Sequence, residues 1–235
     1  MTLWYVRPVR NSFYTDADTI HEEVDVAATR DILWQPPTQL PDGVNTAGDD
    51  YEPCMSADGL TLFFVRGKAG ENADLYTCTR TPDGWTKPEP LASVNTASED
   101  LGPEPSADGS ALYFYSDRAG GFGGYDLWVS YRSATGWHSA LNLGPAVNSG
   151  FNDYGPALSP DGESLYFASN RPHPNDVEQP DEAAWPATVR EDLFHRDYDL
   201  YISRILEGGP TDAAPLSELN SADNEGTPAV SPVGD

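Results

Sequence analysis

A repeat constrains this chain more than any other feature. Asn-Thr or Asn-Ser, followed eight residues later by proline, occurs at Asn45, Asn95, Asn148 and Asn220, with Pro53, Pro103, Pro156 and Pro228 as the prolines. Five residues beyond the first three prolines come Asp58-Gly59, Asp108-Gly109 and Asp161-Gly162, while the fourth copy reads Val233-Gly234-Asp235. Such fixed spacing means that one supersecondary unit is used repeatedly, each copy burying its apolar face only against a neighbour.

The unit names its own elements. After each Asp-Gly pair, which suits a tight turn because Gly tolerates positive φ, comes an apolar run: Leu62-Phe63-Phe64-Val65, Leu112-Tyr113-Phe114-Tyr115 and Leu165-Tyr166-Phe167-Ala168. Each run closes near Arg66, Arg118 or Arg171, and a second strand opens with Asp74-Leu75-Tyr76, Asp126-Leu127-Trp128 or Asp199-Leu200-Tyr201. A last short strand is expected after Trp85 and Trp137. Leu, Ile, Val and Phe are sparse for a folded chain of net charge -25, but 12 Tyr and six Trp at repeating positions supply the missing apolar area.

Units of 50, 53 and 72 residues, counted between successive marker asparagines, with no sustained 3.6 periodicity outside one insertion, predict an all-β fold. The expected architecture is a β-propeller of four-stranded antiparallel blades, the strands of each blade being A to D from the channel outward.

The run Gly102-Pro103-Glu104-Pro105-Ser106-Ala107-Asp108-Gly109, continued through Arg118-Ala119-Gly120-Gly121-Phe122-Gly123-Gly124-Tyr125-Asp126-Leu127-Trp128, resembles the TolB-type, WD-repeat-like β-propeller repeat of bacteria. The resemblance extends over nearly all of the chain. It implies a propeller fold and a role as an interaction platform, in some cases beside a catalytic domain, and a place in the periplasm or cell envelope.

Blades are expected at 44–93, 94–146 and 147–219. Residues 1–43 open at a strand B, since Leu3 to Arg7 matches Leu62 to Arg66, and residues 220–235 close after a strand A. Together they would make a composite blade closing a four-bladed ring, expected to be a monomer; the alternative is a fragment of a six- to eight-bladed propeller.

The excess of 38 acidic over 13 basic residues argues against nucleic-acid or anionic-membrane partners, which need a basic surface. No apolar run is long enough to span a membrane, and Met1 to Phe13 has no signal-peptide stretch, so export is not expected from the chain as written. Cys54 and Cys78 lie two strands apart in one blade and are expected to be free thiols.

Candidate chemistry centres on carboxylates. Asp50, Asp100, Asp153 and Glu225 each stand three residues before the marker proline and should ring one mouth of the channel. They could hold a cation such as Ca²⁺, or pair with Arg66, Arg118 and Arg171; those arginines could instead meet Asp74, Asp126 and Asp199. Glu52 and Glu104 depart from their repeat counterparts and are the pair a glycosidase or lyase would use. About 20 residues are inserted in the third full unit; the segment 172–198 contains His173, Trp185 and His195 and rises from the same face, where a partner contact is expected. No Ser-His-Asp arrangement, HExxH or phosphate loop is present. The leading expectation is therefore a non-enzymatic module, without a cofactor, that binds a protein or envelope partner, with a carbohydrate-active enzyme as the alternative.

Overall fold

The computed structural model describes residues 38–41, 43–172 and 197–231. The chain divides into Met1–Gln39 and Leu40–Asp235, and the architecture below is that of the second unit. Among its described residues fifteen strands form three antiparallel sheets, and there is no helix.

The first sheet contains β1 (Asp50–Met55), β2 (Thr61–Arg66), β3 (Asp74–Thr81), β4 (Gly84–Trp85) and β5 (Glu89–Pro90). The second contains β6 (Asp100–Pro105), β7 (Ala111–Ser116), β8 (Asp126–Ser133), β9 (Gly136–Trp137) and β10 (Leu141–Asn142). The third contains β11 (Asp153–Leu158), β12 (Ser164–Ser169), β13 (Asp199–Leu206), β14 (Gly209–Pro210) and β15 (Ala214–Pro215). In each, strand A pairs with B and B with C, and C carries two short outer pieces.

The hairpin between A and B follows from the Ser-x-Asp-Gly sequence. Ser56 Oγ donates to Asp58 Oδ1 at 2.6 Å, Leu60 N–H donates to the same oxygen at 2.9 Å, and Gly59 adopts φ of 70°. Asp108 and Asp161 repeat this pattern with Gly109 and Gly162. The bonds from Ser106 and Ser110 hold the Asp108 carboxyl down at about 2.

The outer strand departs from expectation. Trp85 and Trp137 lie within β4 and β9 rather than ahead of a single strand D, which is split into two two-residue pieces. In the first blade the gap is filled by Thr86, whose N–H donates to Thr79 O and whose Oγ1 accepts from Thr79 N–H, and by Pro88, which has no N–H to give.

The alternation of strand B sends residues to both sides of each blade. Phe63, Val65 and Leu75 join Leu112, Phe114, Leu127, Leu165 and Phe167 in one continuous core through the blade seams, while Leu62, Phe64 and Cys78 pack with Val44 on the other side of the first blade. Each such side chain contributes about 1.5–3 kcal/mol on burial. Strands β1, β6 and β11 lie beside one another, β6 also meeting β2 and β3, and β11 meeting β7 and β8. The segment 226–231, expected as a fourth strand A, forms no strand, although it continues the same contact, for Glu225 N–H donates to Tyr198 O at 2.7 Å. The composite blade, formed with residues 1–37, and the insertion 173–196, with His173, Trp185 and His195, lie outside the described residues, as do Arg7 and Trp34.

Candidate functional site

The marker residues form a circuit that fixes one face of each blade. The Asn95 amide accepts from Leu75 N–H at 3.1 Å and donates to Leu75 O at 2.9 Å, extending the ladder of strand C; Asn148 does the same with Leu127 and Asn220 with Leu200. The next residue, Thr46, Thr96 or Ser149, gives its N–H and hydroxyl to one oxygen of Asp50, Asp100 or Asp153. The other oxygen meets Arg66 at 2.6 Å, Arg118, and Arg171 at 2.6 Å. Each guanidinium also sits over two rings of its own blade, as Arg118 does over Phe114 and Trp128.

The acidic ring is thus consumed blade by blade. For Asp50, burial favours the protonated form, but the bonds from Arg66 and Thr46 outweigh it and hold the carboxyl below its ordinary value. Glu225 accepts from Ser221 N–H and Oγ. No group of three His, Cys, Asp or Glu suited to a metal forms among the described residues. The arginines meet the ring rather than the acids opening strand C. Asp126 accepts instead from Phe122 N–H, Gly123 N–H and Asn142 Nδ2, Asp199 is buried, and Asp74 Oδ1 is buried without a partner.

Glu52 and Glu104 lie on the inner strands beside a bulge that each strand A carries, two residues opposing one. The bulge needs positive φ: Gly102 and Gly155 supply it at 60° and 64°, whereas Glu52 and Thr227 adopt 48° and 49° with side chains. Gly102 is doubly required, for a Cβ there would lie 2.3 Å from the Tyr115 ring. That ring carries its hydroxyl to Glu52 Oε1 at 2.7 Å, and Gly102 N–H donates to Glu52 Oε2 at 2.8 Å.

Glu104 accepts from Leu158 N–H at 3.1 Å and from Cys54 Sγ at 3.2 Å. Each carboxylate therefore ties its blade to a neighbour with both oxygens engaged. Burial pushes the Glu104 carboxyl up, and burial with the Glu104 charge pushes the Cys54 thiol to about 12. Both cysteines are free.

A cavity of about 490 Å³ opens where strands A begin, walled in part by Glu71, Asn72, Glu99, Asp117, Tyr125 and Asn152. It lies along the seams that the repeat builds from equivalent residues. At the seam of the second and third blades, Tyr125 N–H donates to Asn152 Oδ1, Asn152 N–H to Asn170 Oδ1, and Asn152 Nδ2 to Tyr198 OH.

At the seam of the first and second blades the equivalent side chains are Glu99 and Asp117. Glu99 Oε1 accepts from Asn72 N–H and from Ala73 N–H at 3.2 Å, and Glu99 N–H donates to Asp117 Oδ1 at 3.0 Å. Glu99 is 5% exposed, yet its Oε2 has no hydrogen-bond partner; Tyr51 OH and Asp74 Oδ1 are in the same condition. Burial, aided by Glu52 and Glu99, pushes Tyr51 to about 12, and burial with Asp100 and Glu99 raises Asp74. An orphaned buried polar atom costs roughly 1–3 kcal/mol. Glu99 and Asp117 were not among the sequence candidates; the signal for Glu99 lies in aligning the position four after each marker Asn, which gives Asp49, Glu99, Asn152 and Asn224, the glutamate being the longest.

These sheets define an all-β protein built of antiparallel four-stranded propeller blades. The chain matches no protein-family model and no curated protein sequence. Among solved structures it is similar to the putative TolB from Agrobacterium tumefaciens, at 22% identity and a TM-score of 0.46, over 73% of this chain and 50% of that one. It is also similar to TolB from Acinetobacter baumannii, at 17% identity and 0.47, over 80% and 36%, and to a Mycobacterium tuberculosis puromycin-hydrolyzing peptidase, at 15% and 0.45, over 73% and 23%. The chain spans half or less of the length of each of these.

Proposed function

We propose that the protein is a non-enzymatic binding module that presents the face where its A strands begin, together with the 172–198 insertion, to a protein or cell-envelope partner. The observation that carries this reading is the engagement of Glu52 and Glu104. Both oxygens of each accept hydrogen bonds from the protein across a blade seam, which supports a role for both in tying the blades together. The ring carboxylates are likewise committed to arginine, threonine and serine, so the acids are absorbed into holding the blades, and the open cavity on this face remains as the surface for recognition.

A photo-crosslinking residue at Ser98, on this face, is expected to trap one saturable polypeptide in extract of the source cells, displaced by excess unlabelled protein, while the same probe at Ala107, in an A–B turn, traps none. Equal capture from both positions, or from neither, contradicts the reading. Turnover of a glycan panel that is abolished by Glu52→Gln and by Glu104→Gln would contradict it in favour of a carbohydrate-active enzyme.

A further inference from the structure

From the third blade we infer that the protein pairs head to tail with a second copy of itself, which lays its amino-terminal repeat copy against the open side of that blade. This surface is distinct from the recognition face above and does not depend on that reading.

One position tells the blades apart. The residue before each marker asparagine is Val44, Val94, Val147 or Leu219, and its exposure is 5%, 1%, 0% or 63%. The three valines sit in packed core, and the leucine faces solvent. The same contrast runs along the side of the blade. Leu75 and Leu127 are fully buried where Leu200 is half-buried, and Phe63 and Tyr113 are buried where Tyr166 is half-buried. Phe63 shows what such a position does, for its ring meets Trp137 of the next blade edge to face, with centroids 6.1 Å apart. Tyr166, Leu200, Ile202 and Leu219 therefore make a seam surface without the neighbour that the first two blades have among the described residues.

The other half of that seam has begun to form. Glu225 N–H donates to Tyr198 O as Asp100 and Asp153 do to Ala73 and Tyr125, and Asn224 Oδ1 accepts from Tyr198 N–H as Asn152 Oδ1 does from Tyr125 N–H. Thr227 holds φ of 49°, the bulge conformation of Glu52, Gly102 and Gly155, although 226–231 pairs with no strand among the described residues. This segment lacks a strand B and an arginine. Asp50, Asp100 and Asp153 each meet the arginine near the end of strand B in their own blade, whereas Glu225 accepts only from Ser221 among the described residues. The occupant must bring an apolar strand that closes in arginine. The sequence has one more copy of that pattern, Leu3-Trp4-Tyr5-Val6-Arg7.

The side is open in the single chain, so the copy that fills it is assigned to a second molecule. Each molecule then offers one blade side and fills another, and such a heterologous contact closes into a ring or runs on as a filament. Two molecules with four marker repeats each make a ring of about eight blades, the upper end of the usual range, and a third molecule would exceed it. The assembly is a closed pair.

The test is sedimentation equilibrium of the full chain at about 20 µM, with charge reversals at the two proposed partners. The unaltered chain is expected at twice 25.5 kDa. Glu225→Arg and Arg7→Glu are each expected to pair at least about tenfold more weakly, and an equimolar mixture of the two to recover the affinity of the unaltered chain, since each restores the other's lost contact. Leu219→Glu is expected at the single mass with an unchanged circular dichroism spectrum, because its side chain is already exposed in the single chain. Leu141→Glu, 59% exposed on the outer strand of the second blade, should pair as the unaltered chain does.

A mass of 25.5 kDa for the unaltered chain, a mass that climbs past twice that value with concentration, no recovery in the mixture, or equal pairing of Leu219→Glu and Leu141→Glu would overturn the assignment. A single-mass chain whose melting temperature falls in each charge reversal and recovers in Arg7→Glu/Glu225→Arg would overturn it in favour of the same contact made within one chain.

Discussion

The two blade seams are made from the same backbone contact and opposite side-chain chemistry. At both, the first residue of strand A donates its N–H to the carbonyl preceding strand C of the earlier blade, Asp100 to Ala73 at 2.9 Å and Asp153 to Tyr125 at 2.7 Å. At the later seam the accompanying side chains are amides, and Tyr115, Tyr154 and Tyr198 meet edge to face in series. At the earlier one they are carboxylates, with three orphaned oxygens nearby. A repeat protein can hold its blades together with neutral groups, as this one does once. Where it uses charge in the same place and buries Glu99 Oε2 without a hydrogen-bond partner, stability has been given up locally.

The largest expected effect concerns what the seams share. Arg118→Met strands the fully buried Asp100 carboxylate and should cost about 3–5 kcal/mol in urea unfolding, whereas Arg66→Met, whose pair is more open to water, should cost about half of that. Equal losses would show that burial does not set the strength of the circuit. Next in size, Asn152→Ala removes the acceptor for Tyr125 N–H and the partner of Tyr198 OH and should cost about 2 kcal/mol, reducing the difference between the seams.

The bulge gives a smaller contrast. Thr227→Gly relieves a β-branched residue at positive φ and should stabilise by about 1 kcal/mol. Glu52→Gly relieves the same strain but strips Tyr115 OH and Gly102 N–H of their acceptor, and should destabilise by about 1 kcal/mol net. If both variants were stabilised, Glu52 would not be tying the blades together.

The smallest effect is one of pH. Because burial raises Glu104 in the folded state, its contribution to stability is present below the ordinary carboxylate value of 4.5 and is lost as pH rises through the raised value. Asp50, lowered, has the opposite sign, its contribution being lost as pH falls through the depressed value. Glu104→Gln should therefore become more stable relative to the unaltered chain as pH rises through the raised value, and a variant that instead becomes less stable relative to it over that range would refute the assignment.

Much of this arrangement is written in the sequence. The repeated spacing gives the three described blades, because Thr or Ser, Asp and Arg at fixed offsets serve the same hydrogen bonds in each, and Asp-Gly marks each A–B turn. The pairing of Arg66, Arg118 and Arg171 with the ring acids rather than with Asp74, Asp126 and Asp199 was not legible, since both sets stand at the same end of their strands and register alone separates them. The cavity was hidden for another reason. Its walls come from Asn72, Glu99, Tyr125 and Asn152, distributed over three blades, and Glu99 looks like one more surface acid until its aligned partners are seen to be amides. The split outer strand was hidden because Thr86 replaces a ladder bond with its own hydroxyl.

Native-state hydrogen exchange at the seams tests the central claim most directly. The amides of Ala73 and Asp100 are expected to exchange about tenfold faster than those of Tyr125 and Asp153. Equal exchange at the two seams would contradict the account.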